Sequence, residues 1–440
     1  MVSETPDSTA YVEKLRRRLE QARIAWTPSG SAYRTDSILV RADPDQEGAL
    51  RERLAGDKIE LEFSERLGVA RVRFADAGSA LRSLLEGGFE ATRNYVYFAG
   101  PSFMGNPSFM GNPSFMGNPS FMGNPSFMGN PSFMGNPSFM GNPQLNTAVP
   151  VASPRPDWPE RGKATRRPLV AVLDTGLETE NGKHPRHPQL RDHAVLHDPW
   201  THGPDVTDPV DEDMLDIDAD GFLERVAGHG TFVTGVVRKH APDADIEVEG
   251  VLTSFGDGDD WQLSQRVVEL LERAEPDVVN MSFGCYTEDG EPPLAMSEAV
   301  RLLQEKGAVV VASAGNDATC RRSWPAALPG VIAVGALDCS HPAWFSNHGP
   351  WVDASAPGVG VISTFVFHDG PATEMGGFDP DRFEGWAMWS GTSFAAPKVA
   401  AAIAVEMSRS GVDAATAAHA VVYAPGLYRI PDYGVVVNLV

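Results

Sequence analysis

Three cysteines in 440 residues, Cys285, Cys320 and Cys339, cannot build a disulfide framework and leave at least one thiol over. Positive charge is scarce as well: 36 lysines and arginines stand against 59 aspartates and glutamates, a net charge of −23. No basic stripe exists to neutralise phosphates, so no nucleic-acid partner is expected. Long apolar runs are missing too. Nothing approaches the roughly 18 uninterrupted apolar residues of a membrane-crossing helix, which argues against a membrane partner. The opening residues, Met1 to Asp7, lack the basic segment and apolar stretch of an export signal. Together with the cysteine count, this leads us to expect cytoplasmic residence. The apolar fraction of 42% still suffices for a proper core, and the length suits two domains with connectors. We read the acidity as a solubility device, with attraction of basic ligands as the sharper alternative.

Residues 1–100 read as a small α+β domain. Ser37–Ala42 is a short apolar strand, and Asp43-Pro44 supplies a cap and first-turn proline for a helix that stops at Gly56. Ile59, Leu61 and Phe63 alternate, as do Ala70, Val72 and Phe74, which predicts two half-buried strands. Asp76 opens a second helix, Gly87-Gly88 closes it, and Thr92–Phe98 is a last strand. The succession βαββαβ is that of the ferredoxin-like fold, which hosts many functions.

From Pro101 to Asn142 the hexapeptide Pro-Ser-Phe-Met-Gly-Asn occurs seven times without a change. Each Asn-Pro junction removes a backbone donor and disfavours helix. A proline in every prospective strand disfavours a β-solenoid as well. Residues 101–146 are therefore read as an extended linker. From about Pro168 the pattern changes to aliphatic runs, Leu169–Leu173, Ile246–Leu252, Val278–Ser282, Val309–Ser313 and Val331–Gly335, as strands buried on both faces require. Helical spacing in Gln262–Arg273 and Pro293–Lys306 falls between them. This alternation predicts a doubly wound parallel sheet in residues 147–440, with its site at the carboxyl ends of the strands.

Three stretches there carry chemistry: Val170-Ala171-Val172-Leu173-Asp174-Thr175-Gly176, Gly228-His229-Gly230-Thr231 and Gly391-Thr392-Ser393-Phe394-Ala395-Ala396-Pro397. A carboxylate, an imidazole and a hydroxyl are the parts that turn a weak nucleophile into one able to attack an amide. In this order they resemble the signatures of the subtilisin-like (S8) serine peptidases. A fourth stretch, Ala312-Ser313-Ala314-Gly315-Asn316-Asp317, is similar to the family segment whose Asn stabilises the oxyanion. The resemblance implies a subtilisin-like α/β fold and peptide or protein substrates. It gives Ser393 as nucleophile, His229 as base, Asp174 as its orienting carboxylate and Asn316 as oxyanion donor. The chemistry needs no cofactor and no catalytic metal. The alternative is a non-catalytic protein that uses the same cleft to hold a peptide.

The resemblance implies further that Ser282, Phe283 and Gly284 form one wall of the main specificity pocket and Ala312, Ser313, Ala314 and Gly315 the other. The strand near Ser254–Gly258 is expected to pair with substrate backbone. Asp257, Asp259 and Asp260 there raise the question of a preference for basic residues. Residues 1–100 resemble the family's prosegment, the intramolecular chaperone and inhibitor. The repeats, which start three residues after Phe98, are then either an inert linker or a row of cleavage or docking sites. A missing export signal beside a retained prosegment suggests a dedicated intracellular maturation protease. Asp216-Ile217-Asp218-Ala219-Asp220-Gly221 resembles the start of a calcium loop. Ala227 stands where that pattern needs Glu, so we read an acidic surface insertion, with structural calcium as the alternative. His184, His187 and His193 are expected in solvated loops. A Cys285–Cys320 bridge is compatible with the fold but disfavoured in a reducing compartment.

Overall fold

The computed structural model describes residues 17–54, 59–74, 77–99, 148–154, 158–164, 166–180, 184–196, 212–216, 221–224, 226–370 and 382–438. The hexapeptide array, the expected helix stop at Gly56, the helix start at Asp76 and most of the calcium-like loop lie outside these residues.

The amino-terminal part forms strands β1 (Ile24–Trp26), β2 (Ala32–Arg41), β3 (Glu60–Ser64), β4 (Val69–Arg73) and β5 (Ala91–Ala99). Helix α1 (Glu47–Arg53) follows β2, and α2 (Ala77–Glu86) precedes β5. The order across the sheet is β5-β2-β4-β3, antiparallel throughout, and β1 is an addition that pairs with β2. Asp43 caps the turn before α1 as its sequence suggests, and the Gln46 side chain returns a bond to the Asp43 amide.

Side-chain alternation gives this sheet two apolar faces. Ile38, Val40, Ala70 and Val72 pack on Leu50 and Leu84 of the two helices. Leu39, Val69, Tyr95 and Tyr97 point the other way, into the core of the larger part beside Trp261, Phe283 and Met296. The small sheet is thus docked, and ion pairs line its edge: Arg41 to Glu298 at 2.8 Å and Arg93 to Glu288 at 3.1 Å.

The larger part is a parallel sheet built from β6 (Leu169–Asp174), β7 (Asp245–Gly250), β9 (Val278–Met281), β11 (Val309–Ser313), β12 (Ile332–Asp338), β13 (Ala354–Pro357) and β16 (Gly434–Val436). The intervening pieces β8 (Asp257–Asp259) and β10 (Phe283–Gly284) lie outside that sheet. Across the sheet the order is β7-β6-β9-β11-β12-β13-β16. The chain leaves β6 for β7 on one side and then crosses to β9 on the other, so a topological switch falls beside the end of β6. Five of these strands coincide with the aliphatic runs, most of their residues wholly buried.

Helices α3 (His229–His240), α4 (Asp260–Arg273), α5 (Leu294–Glu305) and α6 (Thr392–Ser410) cover the sheet. Gly411 in the left-handed region, φ 71°, ends α6. A hairpin, β14 (Val361–Asp369) with β15 (Arg382–Trp389), braces α3: Ser363 and Thr364 donate to the carbonyls of Phe232 and Thr231 at 2.7 and 2.8 Å. All three cysteines are unpaired, so the Cys285–Cys320 bridge is not formed. No described helix is long and apolar enough to cross a membrane.

Candidate active site

Asp174 ends β6 at the switch point and is fully buried. Its Oδ1 lies 2.6 Å from His229 Nδ1 and also accepts the Thr175 amide at 2.8 Å. An ionised carboxylate only accepts, so Nδ1 carries the proton and Nε2 is left with a lone pair. His229 opens α3, and the glycines around it have steric reasons. Gly228 has φ 80°, and a Cβ there would meet Phe365 Cε2 at 2.5 Å; at Gly230 a Cβ would run into the Gly176 carbonyl. The imidazole is walled by Trp389, edge-on at 5.4 Å, and Phe394 at 5.3 Å. Its Nε2 is buried without a hydrogen-bond partner.

Ser393 is the second residue of α6 and almost wholly buried. Its hydroxyl donates to the Ser282 carbonyl at 3.2 Å, and its own carbonyl accepts the Ser282 hydroxyl at 2.8 Å. The nucleophile candidate is thus tied to the Ser282 backbone. Asn316 is turned by its neighbours: its Oδ1 accepts both the Thr392 amide and the Thr392 hydroxyl at 2.9 Å. The Nδ2 donors then sit 3.6 Å from where a Cβ on Gly391 would stand, beside the start of α6. Thr392 Oγ1 also accepts the Gly315 amide at 3.2 Å, which links the Ala312–Gly315 segment to the same helix start. Gly315 needs its missing side chain, with φ 106° and Asn347 Nδ2 where a Cβ would be.

The edge expected to receive peptide backbone is filled by β5. It pairs antiparallel with β8 in the register Phe98 to Asp257, Tyr97 to Gly258 and Val96 to Asp259, and the Ala99 amide donates to the Gly256 carbonyl at 2.9 Å. On its other side Ala99 faces Phe283 and Phe98 faces Gly284. Tyr97 drops into the core against Phe283, edge-on at 5.8 Å, and its hydroxyl donates to Asp260 Oδ1 at 3.0 Å. Asp260 also takes the Ala295 and Met296 amides at the start of α5. Burial pushes its carboxyl up to about 7 despite those donors. Asp260 is therefore buried under Tyr97 rather than lying at the cleft edge with Asp257 and Asp259. His187, expected in a solvated loop, is buried edge-on against Trp386 at 4.7 Å, and burial lowers it to about 4.

Sequence reading missed Asp213. This buried carboxylate accepts from Thr175 Oγ1 at 2.9 Å, Gly228 N at 2.6 Å and Ser254 Oγ at 3.0 Å. Thr175 follows Asp174, Gly228 precedes His229, and Ser254 lies just before β8, so one side chain fastens three parts of the site. Burial raises its carboxyl to about 7 against the pull of its three donors, and Asp174 nearby adds to the rise. Its only advance signal is an acidic stretch that reads as a solvated surface. Near the calcium-like loop, Asp216 accepts the Gly221 amide at 3.0 Å, and no cluster of metal-ligating side chains occurs among the described residues.

The subtilase family profile (Peptidase S8) matches residues 165–421. A thermophilic serine proteinase of Bacillus sp. (strain AK1) is 30% identical over 257 residues, 56% of this chain and 53% of that protein. The major intracellular serine protease of Bacillus subtilis (strain 168) is 28% identical over 265 residues, 57% of this chain and 71% of that protein. The matched region spans about half the length of the thermophilic proteinase. Among solved structures, fervidolysin from Fervidobacterium pennivorans, a keratinolytic enzyme related to subtilisin, is similar with a TM-score of 0.59. That likeness covers 95% of this chain and 62% of that one at 19% identity, a likeness of fold.

Proposed function

The chain belongs to the subtilase family, and from that premise we propose that it is a serine endopeptidase held in check by its own amino-terminal domain. The observation that carries this reading is the ladder around β5: an extended polypeptide strand lies hydrogen-bonded between β8 and β10, next to the residue whose carbonyl holds the Ser393 hydroxyl. A cleft that binds backbone by strand addition takes polypeptides rather than small molecules.

For catalysis the Ser393 hydroxyl leaves the Ser282 carbonyl and turns to His229 Nε2, the ring nitrogen without a partner. As Oγ attacks the scissile carbonyl, its proton passes to Nε2, and Asp174 stabilises the imidazolium through the 2.6 Å bond to Nδ1. Asn316 Nδ2 and the amides at the start of α6 stabilise the oxyanion of the tetrahedral intermediate. His229 then gives the proton to the leaving amine, and water hydrolyses the acyl-enzyme by the reverse sequence. No step calls for a cofactor. Ser282 to Gly284 and Ala312 to Gly315 form the walls that receive the residue before the scissile bond.

In this reading β5 acts as inhibitor by filling the strand position of substrate, while Tyr97 anchors it in the core. Cytoplasmic residence is supported by the three unpaired cysteines and by the likeness to an intracellular protease. A retained inhibitor domain suits maturation of a chosen polypeptide better than bulk digestion. Hydrolysis of fluorogenic peptides by the full chain, lost in Ser393→Ala, tests the reading. Equal rates from both proteins, or none from either even with Tyr97→Ala added to loosen β5, would favour the non-catalytic peptide binder, and indiscriminate digestion of casein would sink the maturation role.

A further inference from the structure

The two acidic residues of β8 lie on the same face as two residues of the strand paired with it. Directly opposed residues of an antiparallel pair share a face. Asp257 stands opposite Phe98 and Asp259 opposite Val96, while Tyr97 between them points into the core. The opposite face, which Gly258 shares with Tyr97, is closed: at Gly258 a Cβ would meet Leu263 Cδ1 and the Val251 carbonyl at 2.5 Å.

The cations bonded to these two carboxylates, Arg18 and Arg34, both come from the amino-terminal domain. Arg18, in the helical stretch 17–21, reaches Asp257 Oδ1 at 3.1 Å. Arg34 of β2 reaches Asp259 Oδ2 at 3.0 Å and Asp257 Oδ2 at 3.5 Å. All four side chains are about 5% exposed, so this is a desolvated cluster and not a surface ion pair. Within the larger part, Asp257 accepts the Thr253 hydroxyl at 2.7 Å and Asp259 accepts the Gln262 amide as cap of α4. Neither of those groups carries charge. Burial works against the Asp257 carboxylate, yet Arg18 and Arg34 hold it below its ordinary range. Arg18 keeps Nε and Nη1 buried without hydrogen-bond partners, while its guanidinium lies over the Phe255 ring at 4.7 Å.

Displacing the amino-terminal domain strips both carboxylates of their cations at once and leaves two like charges along the edge where substrate must pair. The geometry points to Asp257 and Asp259 as specificity-determining residues that select peptides with arginine or lysine at the positions now filled by Phe98 and Val96, flanking an aromatic residue in the place of Tyr97. A side chain on a directly opposed residue starts about 5 Å from its partner, well within the span of a guanidinium or ammonium stem. Arg18 and Arg34 are then stand-ins for the basic groups of substrate, supplied from beside the strand instead of along it. This inference rests on the endopeptidase reading and sharpens it to a class of substrate.

Three peptides test it, identical except for arginine, glutamine or glutamate at the two flanking positions, with tyrosine between. The ratio of kcat/KM is read for the full chain at low salt, so even slow turnover suffices. Arginine is expected to exceed glutamine about tenfold, with glutamate lowest, from two cross-strand charge pairs. In Asp257→Asn the arginine-to-glutamine ratio should fall to about threefold. As a readout that needs no variant, the wild-type ratio should shrink between about 0.05 M and about 0.5 M salt, because the edge that receives a peptide is open to solvent once the domain carrying Arg18 and Arg34 has left it. Ratios near one in the wild type, a ratio unmoved in Asp257→Asn, or a ratio indifferent to salt overturns the inference. Charge-blind hydrolysis that still depends on Ser393 leaves the endopeptidase reading intact; absence of any Ser393-dependent hydrolysis defeats both.

Discussion

Asp213→Ala removes the acceptor on which Thr175 Oγ1, Gly228 N and Ser254 Oγ converge at 2.6–3.0 Å. The two hydroxyls can rotate towards other acceptors. The Gly228 amide cannot, because its backbone is set at φ 80° under Phe365. An N–H stranded in a buried site costs about 1–3 kcal/mol, and each charge-assisted bond lost adds roughly 1.5 kcal/mol or more. With both hydroxyls turned to other acceptors only the Gly228 bond is lost, and the total, about 2.5–4.5 kcal/mol, falls on the segments that carry Asp174 and His229. Slack there misaligns the imidazole, and a displacement of about 1 Å can cost on the order of 10²-fold. We therefore expect kcat to fall about 100-fold in Asp213→Ala, with a smaller rise in KM from the loosened Ser254 edge. Asp213→Asn should be much milder. Its amide oxygen can serve Thr175 and Gly228, and the Ser254 hydroxyl can turn to accept from the amide nitrogen. A loss of about 1 kcal/mol, or roughly fivefold in kcat, is expected from exchanging charged for neutral bonds. Steady-state kinetics on a fluorogenic peptide, beside thermal melts that exclude unfolded protein, read these values. Wild-type kcat in a folded Asp213→Ala protein refutes the reasoning.

In its proposed role as oxyanion donor Asn316 acts on charge that develops only in the transition state, so Asn316→Ala should lower kcat by about 10²–10³ with little change in KM; a mainly KM effect contradicts that role. Tyr97→Ala removes an aromatic anchor that typically contributes about 3–5 kcal/mol to a core, so turnover of added peptide by the full chain should rise at least about tenfold, and an unchanged rate argues against β5 as inhibitor. Burial raises Glu178 to about 7, so the folded chain holds a proton there that the unfolded chain has lost above its ordinary value near 4.5. Its contribution is present at pH 4 and lost as pH rises through 7. His187 and His240, lowered by burial to about 4 and about 3, pull the other way below pH 6.5, so the difference between variant and wild type is the readout. Glu178→Gln should gain in Tm relative to wild type between pH 5 and pH 8, and a constant difference contradicts the assignment.

The parallel sheet was legible because its strands are buried on both faces, and such burial writes itself as unbroken aliphatic runs such as Val170 to Leu173 and Val309 to Val311. The convergence of Asp174 and His229 was legible for a different reason. Glycines at 228 and 230 mark places where the chain is crowded, by the Phe365 ring at one and by the Gly176 backbone at the other, and those marks are local in sequence. What escaped was decided by distant partners. Nothing near Asp213 tells that Thr175 and Gly228 will point at it, and in a run of acidic residues one carboxylate reads like the next. Asp260 was taken together with Asp257 and Asp259 as an edge acid. It caps α5 and binds Tyr97, and both contacts exist only once two separate parts of the chain have docked. The β14–β15 hairpin and β1 were missed because they are irregular or short, with alternation too weak to stand out.

Reaction of the full chain with a fluorophosphonate, followed by peptide mass mapping, bears most directly on the nucleophile. A single adduct on Ser393, formed faster in Tyr97→Ala and abolished by His229→Ala, is the predicted result. An unmodified Ser393 in the Tyr97→Ala protein, or an adduct confined to another residue, would contradict the account.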